Sequence, residues 1–273
     1  MKMKKLNILI IGAGMYVCGR GTKNYGTILP SVLQINKKYK IIENISICCT
    51  SQKSLNLLKN KKKKLDKKFN FNSKIKYFTK KRNNSSYIEA ISKSKYKYDC
   101  AIIAVPDHLH FKIIKDILNL NINVLVVKPL VNQISEALKL VKLADNKNLF
   151  CMVEFHKRFD ESNIKLKEFF KDKKVGLPLY FHVEYSQRRD IPLSIFKKWS
   201  NYSNIFQYLG VHYVDLIYFI TGAIPLRLIA IGQKKILTKK NINTYDSIQV
   251  IVEWRLSNDK FVSTFLTNWI DPN

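Results

Sequence analysis

Apolar positions in the first half of the chain fall in short, nearly continuous runs. Leu6 to Ile11, Ile41 to Cys49, Ile75 to Thr79, Cys100 to Val105, Val124 to Val127 and Leu149 to Val153 each read as a strand. Such runs suit strands buried on both faces of a parallel sheet. Between them the spacing turns helical, at Ile28-Leu29 with Val32-Leu33, Ser54 to about Lys64, Tyr87 to Lys95, His110 to Asn119 and Ser135 to Asp145. This alternation predicts an α/β fold with a doubly wound parallel sheet. From about Phe155 the pattern changes. A helix over Ser162 to Phe170 leads into strands at Leu179 to Tyr185, Arg227 to Gly232, Ser247 to Leu256 and Phe261 to Trp269. Ser257-Asn258-Asp259 makes the last two a hairpin,. One strong helix, Ile205 to Thr221, ends at Gly222 in the C′ role,. We therefore expect two domains, residues 1–154 and 155–273, the second an α+β unit with an open, mostly antiparallel sheet.

The first strand runs directly into Gly12-Ala13-Gly14. Two glycines at this place allow a tight turn and a close backbone approach to a pyrophosphate. The loop therefore points to dinucleotide binding by Gly12, Ala13, Gly14 and Met15; a plain strand-turn-helix corner is the other reading. The usual third small residue falls at Val17, which is not small, and helical spacing resumes only at Ile28. We read residues 15–27 as a long loop in which Gly26-Thr27 gives the close approach to the helix. The second strand runs out into Thr50-Ser51-Gln52-Lys53 with no acid to bond a ribose 2′-hydroxyl,. Thr50, Ser51 and Lys53 suit a 2′-phosphate, which favours NADP over NAD, unless Thr50 and Ser51 only cap the next helix. Ligands of such sheets sit at the carboxyl ends of strands, so the polar ends after Ile11, Val105 and Val127 converge on one crevice.

Lys128 stands at such an end, directly before Pro129, which restricts it to an extended backbone,. A lysine aimed into a crevice can bond a substrate hydroxyl, and partial burial lowers its pKa toward a working base. It is also one of 41 lysines. Tyr208, His212 and Asp215 form one polar stripe on the 205–221 helix,. His212 is then a proton-transfer group with Tyr208 beside it, or a satisfied core histidine. Asp215 bonds backbone or positions the helix. Arg158 can reach the nicotinamide or substrate, or pair with Asp160. His108 and His110 do not match a zinc set, and we expect no metal.

Charge changes this picture little. The net charge is +28, but seven arginines stand against 41 lysines, whereas nucleic-acid surfaces use arginine for bidentate contacts. The Lys59 to Lys68 run reads as a solvated helix end and loop, and no specific nucleic-acid partner is expected. No run of about 18 apolar residues offers a membrane span. A strand beginning within five residues of the N-terminus leaves no room for a signal peptide,. Five scattered cysteines fit a reducing compartment, so we expect a cytoplasmic protein,.

Gly12-Ala13-Gly14, Ala104-Val105-Pro106-Asp107-His108-Leu109-His110, Val127-Lys128-Pro129, His156-Lys157-Arg158-Phe159-Asp160 and Gly210-Val211-His212-Tyr213-Val214-Asp215 occur in this order. Together they resemble the Gfo/Idh/MocA oxidoreductase family over nearly the whole chain. The resemblance implies a Rossmann domain, an open-sheet domain, and NAD(P)-linked oxidation or reduction of a sugar, cyclitol or related polyol. It implies that Lys128 bonds the reacting oxygen and that His212 is the catalytic-helix histidine. Val105, Pro106 and His110 would then line the nicotinamide side, with Lys128, Arg158, Tyr208 and His212 toward substrate. A homo-oligomer through the open sheet face is also implied. The chain departs from the family pattern in Val127 for the usual Glu, in Tyr208 where many members carry an Asp, and in the long 15–26 loop. It stops just past a hairpin strand, so the sheet is trimmed or the sequence is a fragment. These departures keep a second reading open, a non-catalytic NAD(P)-binding regulator of the same fold. A polyanion-binding protein is a third, supported by charge alone.

Overall fold

The continuous apolar runs become a six-stranded sheet: β1 (Leu6–Ile11), β2 (Ile42–Cys49), β3 (Ile75–Thr79), β4 (Cys100–Ile103), β5 (Asn123–Val127) and β6 (Cys151–Glu154). The order is β3-β2-β1-β4-β5-β6, that of doubly wound dinucleotide-binding sheets. The pairs β1–β2, β1–β4, β2–β3 and β4–β5 are parallel. The computed structural model describes residues 4–79 and 86–272, and the chain divides into two units, Met1–Val153 and Glu154–Asn273.

Among the described residues, the α-helices of the first unit are α1 (Met15–Cys18), α2 (Ile28–Tyr39), α3 (Gln52–Phe69), α4 (Ser86–Ser92), α5 (His110–Asn119) and α6 (Ile134–Asn146). Strand alternation divides the core between the two faces. Ile8 and Ile10 pack with Leu29, Leu33 and Leu58. Leu9 and Ile11 pack with Ile103, Ile114 and Ile117. Both faces of β1 are therefore buried.

Two expectations need correction. A helix does start at Met15, where the sequence suggested loop: Gly14 is its extended N-cap and Gly19 its left-handed C-cap. Val17 is fully buried with Leu29 and Leu33, so a β-branched core residue stands where small ones usually do. Gly26 makes its close approach against this short helix. At φ +75°, a Cβ there would lie 2.7 Å from the amide nitrogens of Cys18 and Gly19. Thr27 N–H donates to the Tyr16 carbonyl at 2.7 Å. The second correction concerns the lysine run, which is helical throughout and belongs to α3. Leu55, Leu58 and Leu65 bury its inner face. Lys62 lays its stem along that face and pairs with Asp66,.

The second unit holds α7 (Glu161–Lys171), β7 (Tyr180–Arg188), α8 (Val211–Thr221), β8 (Ile224–Gln233), β9 (Ser247–Leu256) and β10 (Asp259–Asp271). The sheet order is β7-β10-β9-β8. β8–β9 and β9–β10 are antiparallel, β7–β10 parallel. Ile217 of α8 packs with Val250, Val252, Trp254 and Phe265 on one face. The other face stays open, with Ile229 and Ile251 exposed. The expected 205–221 helix is not one α-helix. Phe206–Gly210 is a π-helical turn, and α8 follows it. Gly210 permits the turn, since a Cβ there would strike the Phe206 ring at 2.5 Å. Among the described residues, no helix is long and apolar enough to cross a membrane.

Candidate functional site

The first unit has a cleft at the carboxyl ends of β1, β2 and β4, lined by Gly12, Ala13, Gly14, Thr50, Val105 and Pro106 among others. Gly12 is there for geometry. Its φ is +123°, and a Cβ would stand 2.1 Å from the Ala104 carbonyl oxygen. Its N–H donates to the Cys48 carbonyl at 2.9 Å. At Gly14 a Cβ would meet nothing within 4 Å, so the floor is open to the cleft there. An extended anionic group fits such a floor, reached by backbone and unobstructed by side chains.

Three residues expected at the cofactor, Ser51, Lys53 and Met15, are not among those that line the cleft. Ser51 caps α3: its Oγ accepts from the Ser54 N–H at 3.2 Å. Lys53 is exposed on α3 and does not line the cleft. Met15 begins α1, and its carbonyl accepts from the Gly19 N–H at 2.7 Å. Arg20, which the sequence reading passed over, does line the cleft, and its Nη1 donates to Ser54 Oγ at 2.9 Å. Arg20 stands in the glycine-rich stretch after β1, whereas Lys53 lies four residues past the end of β2, inside α3.

His110 also needs correction. It is fully buried at the start of α5. Its Nδ1 lies 2.9 Å from the Pro129 carbonyl and 3.2 Å from that of Leu130, and its Nε2 lies 3.0 Å from the Val105 carbonyl. The ring ties the turn after β5 to the end of β4 and does not face the cleft. Burial pushes its pKa below the ordinary value, against the carbonyl contacts and Asp107 that act to raise it. Lys128 sits half-buried on the tethered turn, joined to Pro129 by a cis peptide bond.

In the second unit the chemistry is carried by side chains. His212 on α8 is 3% exposed. The His156 ring packs edge-on against it at 4.7 Å between centroids. His156 Nδ1 in turn lies 3.1 Å from Glu154 Oε1. The His156-Lys157-Arg158-Phe159-Asp160 motif holds His156 but gives it no role, and Glu154 lies outside that motif. Glu154 ends β6 and His156 opens the 156–159 turn, so no periodic spacing along the chain announces their pairing. Arg158 pairs with Asp215 and not with Asp160. Its Nε donates to Asp215 Oδ2 at 2.7 Å, and Nη2 donates to Oδ1. That bidentate pair fixes the 156–159 turn to α8 and raises the Arg158 pKa,. Tyr208 lies in an aromatic nest, with Phe196 at 4.9 Å and Trp199 at 6.0 Å. Burial pushes its hydroxyl up to about 12, so it is a neutral group at working pH.

Comparison with known proteins agrees with this fold. Residues 6–155 match the model of an oxidoreductase family with an NAD-binding Rossmann fold, and residues 164–271 match the GFO/IDH/MocA C-terminal domain. An uncharacterised oxidoreductase of Schizosaccharomyces pombe is 28% identical over 123 residues, which are 43% of this chain and 32% of that protein. The myo-inositol 2-dehydrogenase of Lactobacillus plantarum superposes with a TM-score of 0.74 at 19% identity, covering 98% of this chain and 71% of that one. The scyllo-inositol dehydrogenase of Lactobacillus casei, solved with NAD(H) and scyllo-inositol, gives 0.72 at 17% identity, covering 98% and 71%. At these identities the structural likeness speaks for the fold alone. The two family matches together span both units, and the chain belongs to the Gfo/Idh/MocA family of oxidoreductases.

Proposed function

We propose that the protein is an NAD(P)-dependent dehydrogenase or reductase acting on a cyclitol, sugar or related polyol. The observation that carries this reading is the cleft floored by Gly12 and Gly14, where backbone and open space meet at the carboxyl ends of the strands. When bound, the nicotinamide supplies or accepts the hydride. Gly12, Ala13 and Gly14 hold the pyrophosphate, while Val105 and Pro106 line the wall. The acid-free end of β2, with Thr50 on the cleft, supports NADP over NAD,. Lys128, fixed by its His110-tethered turn, bonds the reacting oxygen. His212 takes or returns the proton that accompanies the hydride, and Glu154 orients the His156 ring that packs on it,. The inositol dehydrogenases of similar fold make cyclitols the first substrates to try.

Turnover of NADP or NAD with a panel of inositols and aldoses tests the proposal. Activity should appear with at least one polyol and disappear in Lys128→Met. Tight cofactor binding with no turnover across the panel would instead favour the regulator reading, for which the buried, neutral Tyr208 speaks. We also propose a homo-oligomer through the open sheet face, where Ile229 and Ile231 are both more than 60% exposed and Ile251 stands beside Ile229,. Ile229→Lys with Ile251→Lys should give a monomer by sedimentation, and an unchanged sedimentation coefficient would refute it.

A further inference from the structure

We infer that Arg20 is the residue that recognises the 2′-phosphate of NADP, with Ser54 and Thr50 completing an anion subsite at the end of β2. The inference rests on the cofactor reading above and names the group that decides between the two cofactors. Arg20, Thr50 and Ser54 line the same cleft as Gly12–Gly14. In a doubly wound sheet the adenosine ribose belongs near the end of β2, where an Asp or Glu selects the free 2′-hydroxyl. Here Cys49, Thr50 and Ser51 supply no carboxylate to repel a phosphate.

The subsite is built before any ligand arrives. Ser54 is 6% exposed. Its Oγ accepts from Arg20 Nη1 at 2.9 Å and from Ser51 Oγ at 3.0 Å. Its own hydroxyl hydrogen can therefore be donated to a further acceptor. The contact to Ser54 uses one of the five donors that a guanidinium carries, and the planar fork suits two phosphate oxygens at once. Ser54, in the first turn of α3, brings the positive end of an 18-residue helix to the same place,. The loop that carries Arg20 is fixed at both ends. Lys61 Nζ donates to the Thr22 carbonyl at 2.8 Å and also to that of Asn24. Gly26 presses on α1. The positive charge of Arg20 also reaches the Cys49 thiol, where it opposes the rise that burial causes.

Titration of the full chain with NADPH and NADH, followed by reduced-nicotinamide fluorescence, tests this. Adenosine 2′,5′-bisphosphate and 5′-AMP serve as competitors. The wild type should prefer NADPH by about tenfold or more, as one charge-assisted hydrogen-bond set allows. Arg20→Ala should remove most of that preference and leave NADH affinity within about twofold, and adenosine 2′,5′-bisphosphate should compete no better than 5′-AMP. Arg20→Lys should recover part of the preference, since charge remains without the fork. Ser54→Ala should weaken NADPH selectively, and Lys53→Ala should change neither affinity. An Arg20→Ala variant that loses both cofactors in equal measure would overturn the assignment, as would a wild type that prefers NADH. A wild type that binds neither cofactor would sink the cofactor reading itself, which is a different failure.

Discussion

The two units build their candidate chemistry from different material. In the first, the main chain dominates. Gly12 and Gly14 floor the cleft, and three backbone carbonyls surround the His110 ring. In the second, Glu154, His156, Arg158, His212 and Asp215 form contacts between side chains along one short turn and one helix. The sheets differ in the same sense. β1 is buried on both faces, while β8 and one face of β9 are open. Where main chain makes the site, a substitution acts through the fold. Where side chains make it, a substitution removes one group and leaves the fold standing.

Gly12→Ala is the sharpest test of the first half of that contrast. The new methyl would overlap the Ala104 carbonyl oxygen at 2.1 Å, and the residue would hold φ near +123°. Strain and overpacking together should cost about 4 kcal/mol, a large part of an ordinary domain's stability. Urea unfolding should show an early loss of the first unit. A midpoint within experimental error of wild type would show that β1 and β4 can separate without penalty, and the contrast would fail.

Lys128→Met and His212→Gln come next and cut across the contrast, since Lys128 is a side chain in the backbone-built unit. Each should lower turnover by about 10²- to 10³-fold, the usual weight of a positioned acid or base. NADPH affinity should hold within about threefold. Equal losses of turnover and cofactor affinity would show that Lys128 supports the cleft and does not act on substrate.

How much of this could be read from residues follows the same division. The parallel strands were legible because burial on both faces writes itself as continuous Ile, Leu and Val, as in Ile8 to Ile11. Gly12 and Gly14 were legible because glycine has few uses at the end of such a strand. The short helix at Met15 was not, since four residues carry no periodicity and Val17 gives no helical signal. The lysine run concealed the last turns of a helix legible from Ser54 because Leu65 is its one apolar position, and Lys62 covers the gap with its stem. Arg20, His110 and the Arg158–Asp215 pair were misread for another reason. Their partners lie 34, 19 and 57 positions away, and spacing along a chain holds no record of contacts at that range.

Asp215→Ala should destabilise the second unit by about 3 kcal/mol, the low end for breaking a buried pair. The Asp215 side chain is 8% exposed, but Arg158 keeps 31% and can draw on water for part of its compensation. Arg158→Met combined with Asp215→Leu should recover most of the loss, because no charge is left unpaired. Thermal unfolding of the two variants checks this. A double variant as unstable as Asp215→Ala would mean that the pair orders the 156–159 turn and α8 by its hydrogen-bond geometry more than by cancelling charge.

The smallest effect is a pH dependence seated on His110, and it returns to the backbone-built unit. Burial is the largest influence on this imidazole and holds its pKa below the ordinary 6.5. Above pH 6.5 the ring is neutral both folded and unfolded, so it contributes no slope. Below 6.5 the unfolded chain takes up a proton that the folded chain refuses. Stability therefore falls as pH drops from 6.5 toward the folded pKa, and levels off beneath it. The slope from one such group cannot exceed about 1.4 kcal/mol per pH unit. Carboxylates titrate in the lower part of this range too, so the informative quantity is a difference between variants. His110→Gln lacks the titration but can still donate to one carbonyl. Between pH 7.5 and 5.5 the wild type should lose about 1 kcal/mol more than this variant, read from urea midpoints. Equal losses would mean that the ring is protonated in the fold, its two nitrogens donating to the carbonyls of Val105 and Pro129. The turn carrying Lys128 would then be held by a buried cation.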